Sequence, residues 1–352
     1  MIEAFMGQII SQIPSGGFGI FLLFVIIALA LVVLSKAADL LVDEAVSLSV
    51  RWGVPKMIVG ATIVSLGTTL PEVTVSVMSA LHGVPDLAMG NAVGSIICDT
   101  GMILGIAALI KPLPFEKSVI NRQSWMQFSS GVLLILVAFI FGGGVKAFTS
   151  GGHIPQFAGW GFLVILAFYL YRTIHLARKD KKTLTDDNKE EQDVEADVAS
   201  PMGVVILKLL LGMFFVITSS QVLIPAVQEV AVRLHIPQTV IAATLVAFGT
   251  SLPELVTAIS STRKGHGDLA IGNIMGADIL NVLFVVGAAA SVTKGGLDVN
   301  VRFFSLLFPV MLFVLTVFKV SVASSHQSLK RPVGFVLLAA YLIGTVLSYV
   351  LG

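Results

Sequence analysis

GATIVSLGTTLPE at residues 60–72 and AATLVAFGTSLPE at residues 242–254 are two versions of one stretch of sequence. Worked outward, the match runs without a gap from 55–108 onto 237–290, at a constant offset of 182 residues. It takes in DLAMGNAVGSIICDTGMILG (86–105) and DLAIGNIMGADILNVLFVVG (268–287). Roughly twenty positions are identical, and chance does not place an ungapped match of that length in the same part of each half. The chain is an internal duplication, so any chemistry carried by the motif is carried twice.

Composition says where the duplicated unit sits. Of 352 residues, 56% are hydrophobic and 12% charged, with a mean hydropathy of +0.94. Soluble domains carry about 25% charged residues. So much apolar surface cannot be hidden in one globular core. This excludes a soluble enzyme, a nucleic-acid binder and a disordered hub. The 22 basic and 21 acidic residues create no net field for polyanions. A lone cysteine, Cys98, allows no internal disulfide and no cysteine metal cluster.

Apolar runs fall at about 18–50, 57–81, 87–110, 124–142 and 156–177, and again at about 203–231, 238–262, 269–292, 302–320 and 333–351. Each can cross a hydrocarbon core, which takes roughly 20 helical residues. Backbone groups in lipid need internal partners, so the runs are helices. Five is odd, so the second copy enters the membrane from the opposite side. The expected fold is an all-α integral membrane protein of ten transmembrane helices, arranged as two inverted five-helix repeats. The repeats are residues 1–177 and 201–352, joined by a polar linker at 178–200. Inverted repeats in transporters put the substrate site at the midplane between the copies.

Met1 to Gly17 holds Glu3 and no basic residue, unlike the charged start of a secretory signal, so the first span is expected to be retained. One set of loops holds Arg51, Lys56, Lys111, Lys117, Arg122, Arg263, Lys264, Lys319, Lys330 and Arg331; the other holds Lys146, Arg233, Lys294 and Arg302. The positive-inside rule then predicts a multi-pass protein of the inner cell membrane, with the linker cytoplasmic and both termini outside.

Glu72 and Glu254 lie deep in apolar spans, each at the end of Gly-Thr-Thr/Ser-Leu-Pro-Glu. A carboxylate at mid-bilayer costs at least about 2.5–3.5 kcal/mol, so two at equivalent positions need partners or a bound cation. Pro71 and Pro253 cannot donate to the carbonyls of Gly67 and Gly249, and their rings open the helix there. Carbonyls around Ser65 to Thr68 and Ala247 to Thr250 are then expected to face a cavity, where broken backbone is tolerated. Thr68 and Glu72 are four apart, as are Thr250 and Glu254, placing each pair on one helix face. Carboxylate, carbonyl and hydroxyl oxygens suit calcium, and smaller sets of them suit sodium. The plainer alternative is a proline-kinked helix whose glutamate bonds a neighbour.

Asp99 and Asn281 occupy equivalent positions further on, and Ser95 shares a face with Asp99. Gly90, Gly94, Gly272 and Gly276 read first as close-packing positions. Asn91 and Asn273 are equally readable as ligands or as bonds between helices. Asp39, Asp43 and Glu44 fit pairing with Lys36 or snorkelling to the cytoplasmic surface. Asp86 and Asp268 suit helix N-termini. Cys98 reads as a small packing residue, and the six histidines share no ligand spacing.

GTTLPE (67–72) and GTSLPE (249–254), each followed by G-N-x-x-G, resemble the two alpha-repeats of the cation/calcium antiporter superfamily, in particular its prokaryotic sodium/calcium exchanger branch. The resemblance implies that Glu72 and Glu254 bind calcium, helped by main-chain oxygens of Thr68 and Thr250. It implies Ser65, Thr69, Ser95, Ala247, Ser251 and Ala277 for sodium, around a central pair Asp99 and Asn281. It also implies that the long spans 18–50 and 203–231 slide past the site as a gate. The chain departs from the family pattern at Thr69, where serine is expected, and at Ala277, which lacks a hydroxyl. Ile96 and Asp278 replace the asparagine of G-S-N, and aspartate and asparagine are exchanged between Asp99 and Asn281.

The function expected is calcium-for-sodium antiport by alternating access, by a single chain in the lipid bilayer, with calcium and sodium as transported ions and no cofactor or nucleic acid. A proton/calcium antiporter and a cation channel are the alternatives. The Glu-His pair associated with proton-coupled relatives is absent after Gly90-Asn91. An inverted repeat favours rocking over a symmetric pore. No nucleophile–base or metal–histidine motif supports an enzyme.

Overall fold

The computed structural model describes residues 2–14, 16–184, 201–234, 249–325 and 327–350. The order is α1 (Ile2–Ser11), α2 (Gly17–Trp52), α3 (Lys56–Thr68), α4 (Leu70–Leu81), α5 (Pro85–Ile110) and α6 (Lys117–Phe141). Then follow α7 (Gln156–Leu184), α8 (Met202–Arg233), α9 (Leu252–Arg263), α10 (Gly267–Val292), α11 (Phe303–Ser324) and α12 (Arg331–Val350). Among the described residues, seven helices are long and apolar enough to cross a membrane, and α3 with α4 makes an eighth span bent by 45°. The expected span at 238–262 is seen only as α9, because 235–248 lie outside the described residues.

Two expectations about boundaries change. The polar linker was placed from 178, but α7 continues to Leu184, with 185–200 outside the described residues. The chain is also not purely helical. Two short antiparallel ribbons pair β1 (Leu113–Pro114) with β4 (Ser328–Leu329), and β2 (Gly152–Pro155) with β3 (Gly296–Val299). Each ribbon joins a loop of one half to a loop of the other. Shifted by 182, residue 114 lands on Gly296, the first residue of β3. Gly296 has φ +108°, and a Cβ there would lie 2.1 Å from the Ile154 carbonyl oxygen, so the second ribbon needs glycine at that corner.

The burial gradient separates a core from a periphery. The apolar window of α10 is 94% buried and that of α5 is 72% buried, whereas that of α2 is 22% buried. Phe18, Phe21, Phe24, Leu29 and Val32 of α2 point outward, which is stable against lipid and costly against water. At 36 residues, α2 is about 54 Å long, well beyond a hydrocarbon core of about 30 Å. It packs along α8, where Gly212 brings the backbones close: a Cβ there would sit 3.0 Å from the Leu41 nitrogen. Helix α1 is tied to the same pair, with Ile10 clustering on Leu23, Ala226 and Val230.

The core helices are locally unwound. π-helical turns occupy 60–64, 98–103 and 281–286, with a fourth at 303–307. The second holds Asp99 and the third begins at Asn281, so equivalent parts of α5 and α10 are distorted alike. Such bulges frequently mark functional sites because they re-aim side chains and loosen the backbone ladder.

Candidate functional site

The bend between α3 and α4 falls at Thr69, two residues before Pro71. Proline at the first turn of a helix lacks only an N–H that would have no partner, so α4 starts afresh there. Glu72 and Glu254 therefore lie in the first turns of α4 and α9 and not in the middle of continuous helices. The helix dipole at that end favours a carboxylate. The expected run of free carbonyls needs correction: that of Ser65 accepts from the Thr69 N–H at 2.9 Å. The new helices repeat each other closely, with Val73 N–H donating to Thr69 O at 3.1 Å and Leu255 N–H to Ser251 O at 3.0 Å.

Both glutamates are 1% exposed, and Glu72 lies in the field of Glu254 and Asp99. The hydroxyls of Thr68 and Thr250 bond across the two repeats. Thr68 Oγ1 donates to Asn273 Oδ1 at 3.4 Å and faces Glu254. Thr250 Oγ1 donates to Asn91 Oδ1 at 3.1 Å and faces Glu72. Each threonine of one copy thus bonds the asparagine of the other, a contact that spacing within one helix cannot reveal.

Asn91 bridges helices: its Nδ2 donates to the Glu72 carbonyl at 3.2 Å and to Ser76 Oγ at 3.0 Å. Asn273 keeps an unpartnered Nδ2. Gly272 and Gly276 pack as expected. A Cβ at Gly272 would lie 2.1 Å from the Met57 carbonyl oxygen, and one at Gly276 2.6 Å from both Ala61 O and Ser65 Oγ. Gly90 and Gly94 have nothing within 4 Å of a built Cβ among the described residues, and Ala247 lies outside those residues.

The remaining residues converge on the same interior. Ser65, Thr69, Ser95, Asp99, Ser251, Ala277 and Asn281 are all buried. Ser251 faces Asp99 and Cys98. Among the described residues, both carboxylate oxygens of Glu72 and of Glu254 have no hydrogen-bond partner, and neither do Asp99 Oδ1, Asn281 Oδ1, Thr69 Oγ1, Ser95 Oγ and Ser251 Oγ. Buried polar atoms are normally paired, so this concentration of unsatisfied oxygens is the unusual feature of the interior. Among the described residues, no three acidic, histidine or cysteine side chains form a metal cluster by themselves. A cation here needs hydroxyl and carbonyl oxygens beside the glutamates, the donor set that suits calcium and sodium.

Asp278 is the buried carboxylate that the candidate set left out. It is 1% exposed, and its Oδ2 accepts from Thr100 Oγ1 and Gln127 Nε2. The departure from G-S-N marks the position, but only packing brings Thr100 and Gln127 to it. Away from these residues, the reading of Asp39, Asp43 and Glu44 as snorkelling or paired with Lys36 gives way to contacts with other helices, and Glu44 is itself buried. Lys264 Nζ donates to Asp43 Oδ1 at 2.7 Å, Ser260 Oγ to Asp39 Oδ1 at 2.6 Å, and Lys208 lies 3.2 Å from Glu44. Asp86 and Asp268 open α5 and α10, and Asp268 Oδ1 accepts the Leu269 N–H at 3.0 Å.

Comparison with known proteins agrees with this geometry. The chain is 33% identical over 324 residues to the inner membrane protein YrbG of Escherichia coli, covering 92% of this chain and 95% of that protein. It is 27% identical to the sodium/calcium exchanger MaX1 of Methanosarcina acetivorans, covering 93% and 98%. A solved structure of the sodium-calcium exchanger NCX_Mj, soaked with sodium and strontium, superposes with a TM-score of 0.75 at 22% identity, covering 93% of this chain and 99% of that one. The class defined is a multi-span helical membrane protein for cation exchange. The family model described as sodium/calcium exchanger protein matches residues 22–175 and 204–350, and the chain belongs to that family, in its prokaryotic branch.

Proposed function

We propose that this protein is a secondary antiporter that moves calcium against sodium by alternating access. The observation that carries the proposal is the crossed pair Thr68–Asn273 and Thr250–Asn91, which brings Glu72 and Glu254 together with their carboxylate oxygens unpartnered. Glu72 and Glu254, with main-chain oxygens at Thr68 and Thr250, hold calcium. Ser65, Thr69, Ser95, Ala247, Ser251 and Ala277 supply sodium positions around Asp99 and Asn281. Calcium and sodium compete because they draw on overlapping oxygens. The names of MaX1 and NCX_Mj as sodium/calcium exchangers support this choice of ions.

The architecture that suits the mechanism is ten spans in two inverted five-helix repeats, 1–177 and 201–352, with the site at their midplane contact. The paired ribbons and the matched π turns of α5 and α10 support the duplication. Both termini face outward and the 178–200 linker faces the cytoplasm, on the strength of the basic loops. Helices α2 and α8, packed along each other and largely lipid-facing, slide as a gate over the fixed core. The test is calcium uptake into sodium-loaded vesicles containing the full chain. Uptake should require the outward sodium gradient and collapse when an ionophore dissipates it. Uptake indifferent to sodium overturns the reading.

A further inference from the structure

The central pair Asp99 and Asn281 is carried on two π turns, 98–103 of α5 and 281–286 of α10. A π turn lacks the regular hydrogen-bond ladder of an α-helix, so neighbouring elements must fix a side chain presented on it. One buried triangle of side chains does this. Thr100, next to Asp99 in the first π turn, donates through Oγ1 to Asp278 Oδ2. Gln127 of α6 donates through Nε2 to the same oxygen and, at 2.9 Å, to Thr100 Oγ1. Asp278 stands three residues before Asn281 in α10, and its main-chain carbonyl accepts the Asn281 N–H. All three side chains are buried, so water does not compete for these bonds. The triangle thus ties α5, α6 and α10 together where the two π turns meet the site. At the offset of 182, Ile96 stands opposite Asp278 and Val282 opposite Thr100, so the other repeat cannot make the same bonds.

We propose that Thr100, Asp278 and Gln127 are positioning residues for the central cation position, holding the turn that presents Asp99 without themselves touching the ion. Hydrogen bonds to an ionised carboxylate are stronger than neutral ones, and two donors on one oxygen fix its orientation. The triangle reaches the turn of Asp99, the acidic member of the pair, so the one-sided brace follows the one-sided charge. Sodium at the central position then depends on the triangle. Calcium, held by Glu72 and Glu254, depends on it far less.

This inference rests on the antiport reading, and the experiment separates the two. The full chain is reconstituted in proteoliposomes and half-saturation is measured for each ion. Thr100→Val keeps the shape, removes the hydroxyl and installs the residue type of the other repeat. Half-saturating sodium should rise about tenfold, the change that one lost hydrogen bond to a charged group carries. Half-saturating calcium should stay within about twofold. Gln127→Met, which strips the other donor, should shift sodium in the same direction, and it decides the matter if Thr100→Val fails to insert. Asp278→Asn keeps an acceptor oxygen for both donors and places its amide where Oδ1 has no partner among the described residues. Its sodium curve should therefore stay within about twofold of wild type. An unchanged sodium curve in the inserted donor variant overturns the proposal. Equal weakening of sodium and calcium also overturns it, because that marks a general packing role. So does a sodium loss in Asp278→Asn as large as in the donor variant, because the charge and not the bonding would then matter. Absence of sodium-driven uptake in the wild type instead overturns the antiport reading.

Discussion

At the scale of single residues, the two glutamates carry the heaviest commitment. They are buried, and among the described residues their carboxylate oxygens have no hydrogen-bond partner. Glu72→Gln or Glu254→Gln keeps the shape and removes a charge that a divalent ion needs in a low-dielectric cavity. Either variant should insert normally and lose calcium transport, by tracer uptake, to background. Near-normal exchange by either one would remove the glutamates from the site. Asn91 makes a different prediction because it bridges helices. Asn91→Leu strips bonds from the Glu72 carbonyl, Ser76 and Thr250 together. Leaving buried groups unpaired costs about 1–3 kcal/mol, so thermal unfolding of the purified chain should come at a clearly lower temperature. An unshifted transition would mean that these bonds do not hold the helices together.

At the scale of elements, the close approach of α3 and α10 decides whether the site assembles. Gly272 meets the Met57 carbonyl and Gly276 meets Ala61, so the helices touch backbone to backbone along the 60–64 π turn. A side chain there must push α3 away, and with it Ser65 and Thr68. Overpacking costs about 1–3 kcal/mol in rigid interiors. Gly276→Val should lower both thermal stability and exchange. Gly161→Val, in α7 with nothing within 4 Å of its Cβ, should change neither by much. Equal behaviour of the two variants in a thermal-shift assay would show that α3 and α10 tolerate separation.

At the scale of the whole molecule, the question is which gradient drives transport and how the two copies cooperate. A pH gradient without sodium should sustain calcium movement far less well than a sodium gradient does. Equal rates in the same vesicles would favour proton/calcium antiport. The exchange of Asp99 with Asn281 gives a second test, because both are buried and both offer an unpartnered oxygen. Asp99→Asn should shift sodium competition while calcium binding survives. Adding Asn281→Asp should restore much of the lost sodium dependence, since pseudo-symmetry puts the two positions across one cavity. Loss of calcium binding in Asp99→Asn alone would make Asp99 a direct calcium ligand.

The sequence by itself determined that the chain is a helical membrane protein, that its core motif is duplicated, and that Glu72, Glu254 and Asp99 are buried acidic groups. Those conclusions need only local information: hydropathy over about 20 residues, an ungapped match, and the known cost of charge in lipid. The helix breaks were legible for the same reason, since proline acts on its own backbone. Tertiary structure alone decided who meets whom. Thr68 bonds Asn273 of the other copy; Lys264 and not Lys36 holds Asp43; Gln127 reaches Asp278 across 151 residues. Such contacts depend on how two copies of one unit dock head to head, and a side chain's partner across that joint has no signature in its own helix. Identity and burial depth are written along the chain, whereas pairing arises only when separate helices share a volume.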